Sequence, residues 1–113
     1  MILYEEDIER LVKIRDFIHD NLCYELKTSI VAKKFGIDKY KLRRHFTKHF
    51  KHAFYHYIFV QRMKKAMDLL CHKTPVFETA KAVGYDDKSA FSHAFTGFFG
   101  ESPASILKRH EDE

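Results

Sequence analysis

Along the first fifth of the chain, Ile8, Leu11, Ile14, Ile18 and Leu22 recur three or four residues apart. That spacing lays one apolar stripe along a helix of about four turns. A short helix is predicted from Thr28 to Phe35, ending at Gly36. Asp38 then precedes a helix over Lys39 to Phe50, and its carboxylate can accept from the free N–H groups of the first turn. Phe54, Ile58, Ala66 and Leu70 mark a longer helix, Phe54 to His72. Arg62 falls on that same stripe, which predicts a partly buried, paired guanidinium. A second short helix runs from Val76 to Val83 and stops at Gly84; Asp86 or Asp87 caps a helix from Lys88 to Phe98. Pro103 suits the first turn of a last short helix. No stretch alternates apolar and polar residues for long enough to read as a strand.

The pattern repeats. At an offset of 48, Asp20 meets Asp68, Leu22 meets Leu70, Cys23 meets Cys71, Ala32 meets Ala80 and Gly36 meets Gly84. One inserted residue changes the offset to 49, and Lys39 then meets Lys88, Phe46 meets Phe95, Thr47 meets Thr96 and Phe50 meets Phe99. Self-similarity at a fixed period means one supersecondary unit used twice. In each unit a short helix, a glycine at a position needing φ > 0 and a capped second helix form a helix-turn-helix. Small Ala80 lets the two helices approach. Phe91 and Phe95 turn inward and leave Lys88, Ser89, Ser92 and His93 facing outward. The expected fold is therefore all-α, with seven helices in two helix-turn-helix units joined by a long linking helix, each unit a homeodomain-like three-helix assembly.

Composition narrows the classes. With 113 residues, 45% hydrophobic and 15% aromatic, the chain can build a core and is not disordered. It has no apolar run of about 18 residues to span a membrane, and its opening residues, MILYEEDIER, lack the apolar core of a signal peptide. A cytoplasmic location is expected. Cys23 and Cys71 form no CxxC pair and read as two reduced structural thiols. The net charge of +4 is unremarkable, but its distribution is not. Lys39, Lys41, Arg43, Arg44, Lys48 and Lys51 lie between residues 39 and 52 with no acid among them, while acids gather at both ends. An exposed, acid-free cationic second helix in a helix-turn-helix suits a phosphate backbone.

The stretch AKAVGYDDKSAFSHAFTGFFGESPASI carries Ala80, Gly84-Tyr85, Asp87, Ser89, Phe91, Phe95, Phe99-Gly100 and Ser102-Pro103. In these residues the chain resembles the DNA-binding domain of AraC/XylS-type transcription regulators. Ala32, Gly36, Leu42 and Phe46 fit in the first unit, and Arg62, Ala66 and Leu70 fit in the linking helix. The resemblance covers residues 8 to 109. It implies one AraC-type DNA-binding domain over residues 1–113, with a first helix-turn-helix unit at 5–52 and the linking helix plus second unit at 53–110. It also implies a bacterial protein that binds double-stranded DNA sequence-specifically in transcription regulation, usually as an activator touching RNA polymerase. The family's base-reading positions fall on Tyr40, Arg43 and Arg44, and on Lys88, Ser89, Ser92 and His93. Members often carry a sensor domain N-terminal to this one, so the chain is either a stand-alone regulator or a fragment, with the fragment favoured. Where the family usually has glycine, this chain has Lys51, which must accept φ > 0 unless the turn differs.

An α-helix fits the major groove, and arginine's planar fork suits guanine, so Arg43 and Arg44 lead as base readers. Tyr40 can touch a thymine methyl or a phosphate. Lys39, Lys41, Thr47 and Lys48 are expected on phosphates. A linking helix of about 19 residues spans roughly 28 Å, against about 34 Å between major-groove entries on one face, so a monomer is expected to reach two neighbouring grooves. Between residues 86 and 99 stand Asp86, Asp87 and only Lys88, so the first unit is expected to bind more strongly. No enzyme activity and no cofactor are expected. The rival readings are a helical protein-interaction domain and a metal site built from His45, His49, His52 and His56, whose spacing of 4, 3 and 4 would stack imidazoles along one unbroken helix.

Overall fold

The computed structural model describes residues 5–112. Among them are seven helices and no strand: α1 (Glu5–Asp20), α2 (Thr28–Lys34), α3 (Lys39–Phe50), α4 (Phe54–Cys71), α5 (Val76–Ala82), α6 (Lys88–Phe99) and α7 (Pro103–Glu111). They group into two compact units, one ending at Phe59 and one beginning at Val60, so the division falls within α4.

The first unit packs Leu11, Ile14 and Ile18 of α1 with Val31 and Ala32 of α2, Leu42 and Phe46 of α3, and Phe54 and Ile58 at the start of α4. Phe46 organises the aromatic part, meeting Phe50 at 4.6 Å, Phe54 at 5.4 Å and Tyr57 at 5.3 Å between ring centroids. The second unit buries Met63, Ala66 and Leu70 of α4, Ala80 of α5, Phe91 and Phe95 of α6, and Ile106 of α7. Arg62 is half-buried and its charge reaches the Tyr85 phenol, whose pKa is raised chiefly by burial and drawn back by Arg62.

The duplication is visible in single hydrogen bonds. After α2 the Gly36 N–H donates to the Lys33 carbonyl and the Ile37 N–H to the Ala32 carbonyl; after α5 the Gly84 N–H donates to Lys81 and the Tyr85 N–H to Ala80. Both are Schellman closures, with the glycine at φ 65° and 88°. Asp38 and Asp87 then cap α3 and α6, accepting from the Tyr40 and Lys41 N–H groups and from the Ser89 N–H. The cap of α6 is thus Asp87 and not Asp86. At the far ends, Lys51 (φ 64°) and Gly100 (φ 79°) donate their N–H groups to the carbonyls of Thr47 and Thr96. Lys51 accepts the left-handed conformation where the second unit uses glycine.

Cys23 and Cys71 are both free thiols; Cys23 is exposed, because the chain has left α1 and the buried position goes to Leu22, and Cys71 is half-buried. One expectation needs correction. Ser92 is half-buried and not fully outward, since it lies three residues before Phe95 at the edge of the inward stripe.

A lysine at φ 64° carries a Cβ clash that glycine lacks, worth about 1–2 kcal/mol, partly offset by glycine's greater loss of freedom on folding. Lys51→Gly is expected to raise the thermal midpoint by a few degrees. Gly100→Ala is expected to lower it by about 4–8 °C per kcal/mol lost, although an added Cβ would meet nothing within 4 Å. Thermal unfolding followed by circular dichroism measures both, and a stabilised Gly100→Ala would contradict the backbone argument.

Candidate nucleic-acid interface

Helix α3 divides sharply between two environments. Leu42, His45 and Phe46 are buried, while Lys39, Tyr40, Arg43, Arg44, Thr47 and Lys48 are exposed. The exposed positions sit three or four residues apart and share one side of the helix. Arg43, Arg44, Thr47 and Lys48 line a shallow, open concavity of about 480 Å³. The helix carries no acid of its own, so its outer face holds four cations, Tyr40 and Thr47 with no opposing charge.

The individual side chains are not equally free. The Lys39 ammonium lies 5.1 Å over the Tyr40 ring, and the Arg43 guanidinium lies 5.8 Å over the Tyr55 ring. Thr47 turns its hydroxyl back, donating to the Arg43 carbonyl at 2.9 Å. Lys41 is half-buried and points its ammonium at Asp7 of α1, 3.8 Å away, where the carboxylate is only 11% exposed. Sequence spacing could not reveal that pair, because Asp7 lies in an acidic run that looks fully solvated.

The counterpart on α6 is nearly neutral. Lys88, Ser89 and His93 are exposed and Ser92 is at the edge of the core. Lys88 is the one cation between Asp87 and Phe99.

The four histidines of the metal reading are not brought together. His45 is buried, His49 packs on Phe50, and only His52 and His56 face each other, with ring centroids 5.8 Å apart. The helix ends at Phe50, before His52, so one continuous imidazole face does not form. Among the described residues, no group of three histidine, cysteine or acidic side chains is arranged to hold a metal ion. No helix of the described residues is long and apolar enough to cross a membrane.

A family model described as "Helix-turn-helix domain" matches residues 31–109, well over half of the chain. The chain belongs to the AraC/XylS-type helix-turn-helix family. It is an AraC-type DNA-binding domain, in a family of transcription regulators. Among its relatives, the Msm operon regulatory protein of Streptococcus mutans is 32% identical over 97 residues, covering 85% of this chain and 35% of that protein. The lactose operon transcription activator of Staphylococcus xylosus is 33% identical over 109 residues, covering 96% and 38%. The regulatory protein SoxS of Salmonella typhimurium is 27% identical over 107 residues, covering 94% and 97%. This AraC-type chain therefore spans little more than a third of the two operon regulators and nearly all of SoxS. Among solved structures, the C-terminal domain of AraT, a response regulator of Geobacillus stearothermophilus, superposes with a TM-score of 0.83 at 28% identity, covering 88% of this chain and 84% of that one. The DNA-binding domain of AdpA, solved with a target DNA, shares the fold with a TM-score of 0.80 at 21% identity, covering 91% and 94%.

Under the interface, His45 is 5% exposed and its Nδ1 has no hydrogen-bond partner. Burial pushes its pKa below the usual 6.5; Asp7 opposes this, and Lys41, Arg44 and Lys48 reinforce it. The unfolded chain thus binds this proton more readily than the folded one. Stability from neutral His45 is complete above pH 6.5 and declines as pH falls below that value towards the lowered folded pKa. His45→Leu, an apolar replacement, is expected to flatten the fall of the melting temperature between about pH 7 and pH 5. An undiminished slope in that variant would place the responsible proton elsewhere.

Proposed function

We propose that this AraC-type domain regulates transcription by sequence-specific binding to duplex DNA, with α3 as its principal reading helix. The observation that carries the proposal is the exposed, acid-free face of α3 formed by Lys39, Tyr40, Arg43, Arg44, Thr47 and Lys48. A helix of this width enters the major groove, where each base pair offers a distinct set of donors and acceptors. Arg43 and Arg44 read guanine through bidentate hydrogen bonds, and Tyr40 lies against a thymine methyl or a phosphate. Lys39 and Lys48 neutralise phosphates and supply affinity without sequence information. Thr47 joins them only by releasing the hydrogen it donates to Arg43. Lys41, held by Asp7, serves to fix α1 against α3 and contributes to the field more than to a direct contact.

In the second unit, Lys88, Ser89, Ser92 and His93 meet DNA with far less charge, which supports a weaker, more hydrogen-bonded contribution from α6. The same reading includes contact with RNA polymerase at a promoter and, by analogy with the longer operon regulators, control by a sensor domain. A cytoplasmic site of action follows from a chromosomal target.

Selection of bound duplexes from a random pool tests the proposal, since a recovered motif demonstrates base reading. Affinity is expected to fall steeply with salt, log K dropping by about 0.9 for each neutralised phosphate per decade of salt. A flat salt response would count against a phosphate-dominated interface.

On one selected site, Arg43→Ala or Arg44→Ala is expected to cost about 1–3 kcal/mol and relax preference at one base pair. Lys48→Ala is expected to weaken all duplexes alike and reduce the salt slope by about one. Loss at His93→Ala exceeding both arginine effects would make α6 the principal reader instead.

A further inference from the structure

Tyr55 connects three parts of the first unit. It stands in the first turn of α4, 49% exposed, and its hydroxyl oxygen accepts the backbone N–H of Thr28 at 3.0 Å. Thr28 is the first residue of α2, and the N-cap residue there, Lys27, makes no side-chain capping bond. Tyr55 therefore satisfies a helix-end donor that the local sequence leaves open. One end of its ring is tethered to α2 and the other to the α4 backbone.

The Arg43 guanidinium lies over this tethered ring, 5.8 Å from the centroid. The phenol's pKa is lowered, first through hydrogen bonding with Thr28 and further by the charge and hydrogen bonding of Arg43. A guanidinium packed on an aromatic ring has already given up part of its rotamer freedom before any ligand arrives, and with five N–H donors it has more than its bond to the phenol uses. A side chain ordered in advance loses less on binding and is restricted to partners that match its plane. A base edge in the major groove is such a partner, whereas a phosphate accepts many approach angles.

We infer that Tyr55 is a positioning residue for DNA reading, its ring anchored on the Thr28 N–H so as to hold the Arg43 guanidinium in the plane required for a bidentate contact to a base. The inference rests on the reading that Arg43 faces DNA bases.

The test uses the full chain and duplexes chosen by selection, each varied at one base pair. Tyr55→Leu removes the aromatic platform; Tyr55→Phe keeps it and cuts the tether. Tyr55→Leu is expected to lower affinity for the preferred duplex about tenfold, to relax preference at the same base pair as Arg43→Ala, and to leave the salt slope unchanged. In an Arg43→Ala background it is expected to add little, because the two changes remove one interaction. Tyr55→Phe is expected to relax the same base pair partially. Should Tyr55→Leu fail to show the parent's helical circular dichroism, Tyr55→Phe alone decides, and unaltered preference there overturns the tethering. If Arg43→Ala relaxes one base pair and Tyr55→Leu instead weakens every duplex equally, or adds fully to Arg43→Ala, the positioning role is wrong while the reading of Arg43 stands. If Arg43→Ala itself relaxes no base pair, the reading of Arg43 fails, and the role of Tyr55 fails with it.

Discussion

The six-to-one hydrogen bond that closes each helix-turn-helix is the constraint on which the interface depends. The Ile37 N–H reaches the Ala32 carbonyl at 3.0 Å, and the Tyr85 N–H reaches Ala80 at 2.9 Å. Each bond forms only when the residue before it sits in the left-handed region, which glycine enters without a Cβ penalty. The bond fixes where the chain leaves the short helix. Asp38 or Asp87 then starts the next helix one or two residues later, so the direction of α3 or α6 is set within a few peptide units. Ala32 and Ala80 are buried at 3% and 1% exposure, and a larger side chain at either would displace the helix it packs against. Aim of the recognition helix is thus a local backbone property, and packing of Phe46 or Phe95 makes it permanent.

A helix that is half core and half exposed cationic surface faces a conflict at its boundary, and α3 resolves it with electrostatics. His45 sits one residue from Arg44 and three from Lys48, yet it is buried. A protonated imidazole there would add charge beneath an already cationic face, so burial and those neighbours favour the neutral form. Asp7 acts in the opposite direction on His45 while attracting Lys41. A single carboxylate from α1 thereby moderates the field under the interface without placing an acid on its outer surface.

The fold was legible because its determinants are local. Helix spacing, the glycine turns, the Asp38 cap and Pro103 at the start of α7 each involve residues a few positions apart, and a sequence displays such relations directly. At Lys51 the family resemblance left two alternatives, φ > 0 or a different turn, and the structure takes the first. The choice between Asp86 and Asp87 was not legible: either can precede Lys88, and the decision lies in the extended backbone of Asp87 at φ −113°. The outward face of α3 was readable as a charge pattern, but the allocation of its cations was not. Lys41 is drawn to a residue 34 positions earlier, and Arg43 rests on a ring 12 positions later. Both pairings depend on how helices pack, and nothing in the neighbouring sequence signals them. Ser92 shows the limit of periodicity itself, since a residue beside the buried stripe is neither inside nor outside.

Two of the left-handed helix ends carry lysine, at Lys51 and Lys73, although glycine fills the comparable positions at Gly36, Gly84 and Gly100. A lysine in this conformation costs about 1–2 kcal/mol in steric terms. Each lysine follows a helix C-terminus, where the macrodipole favours a cation by about 0.3–1 kcal/mol when exposed. Glycine would itself lose roughly 0.5–1 kcal/mol in backbone freedom on folding. The two favourable terms together offset most of the steric cost, so glycine keeps only a small advantage in stability at these ends. Where energies are this close, the side chain is chosen by what else it does. A glycine at 51 would remove one of the six cations between residues 39 and 52, and with it part of the field that α3 presents.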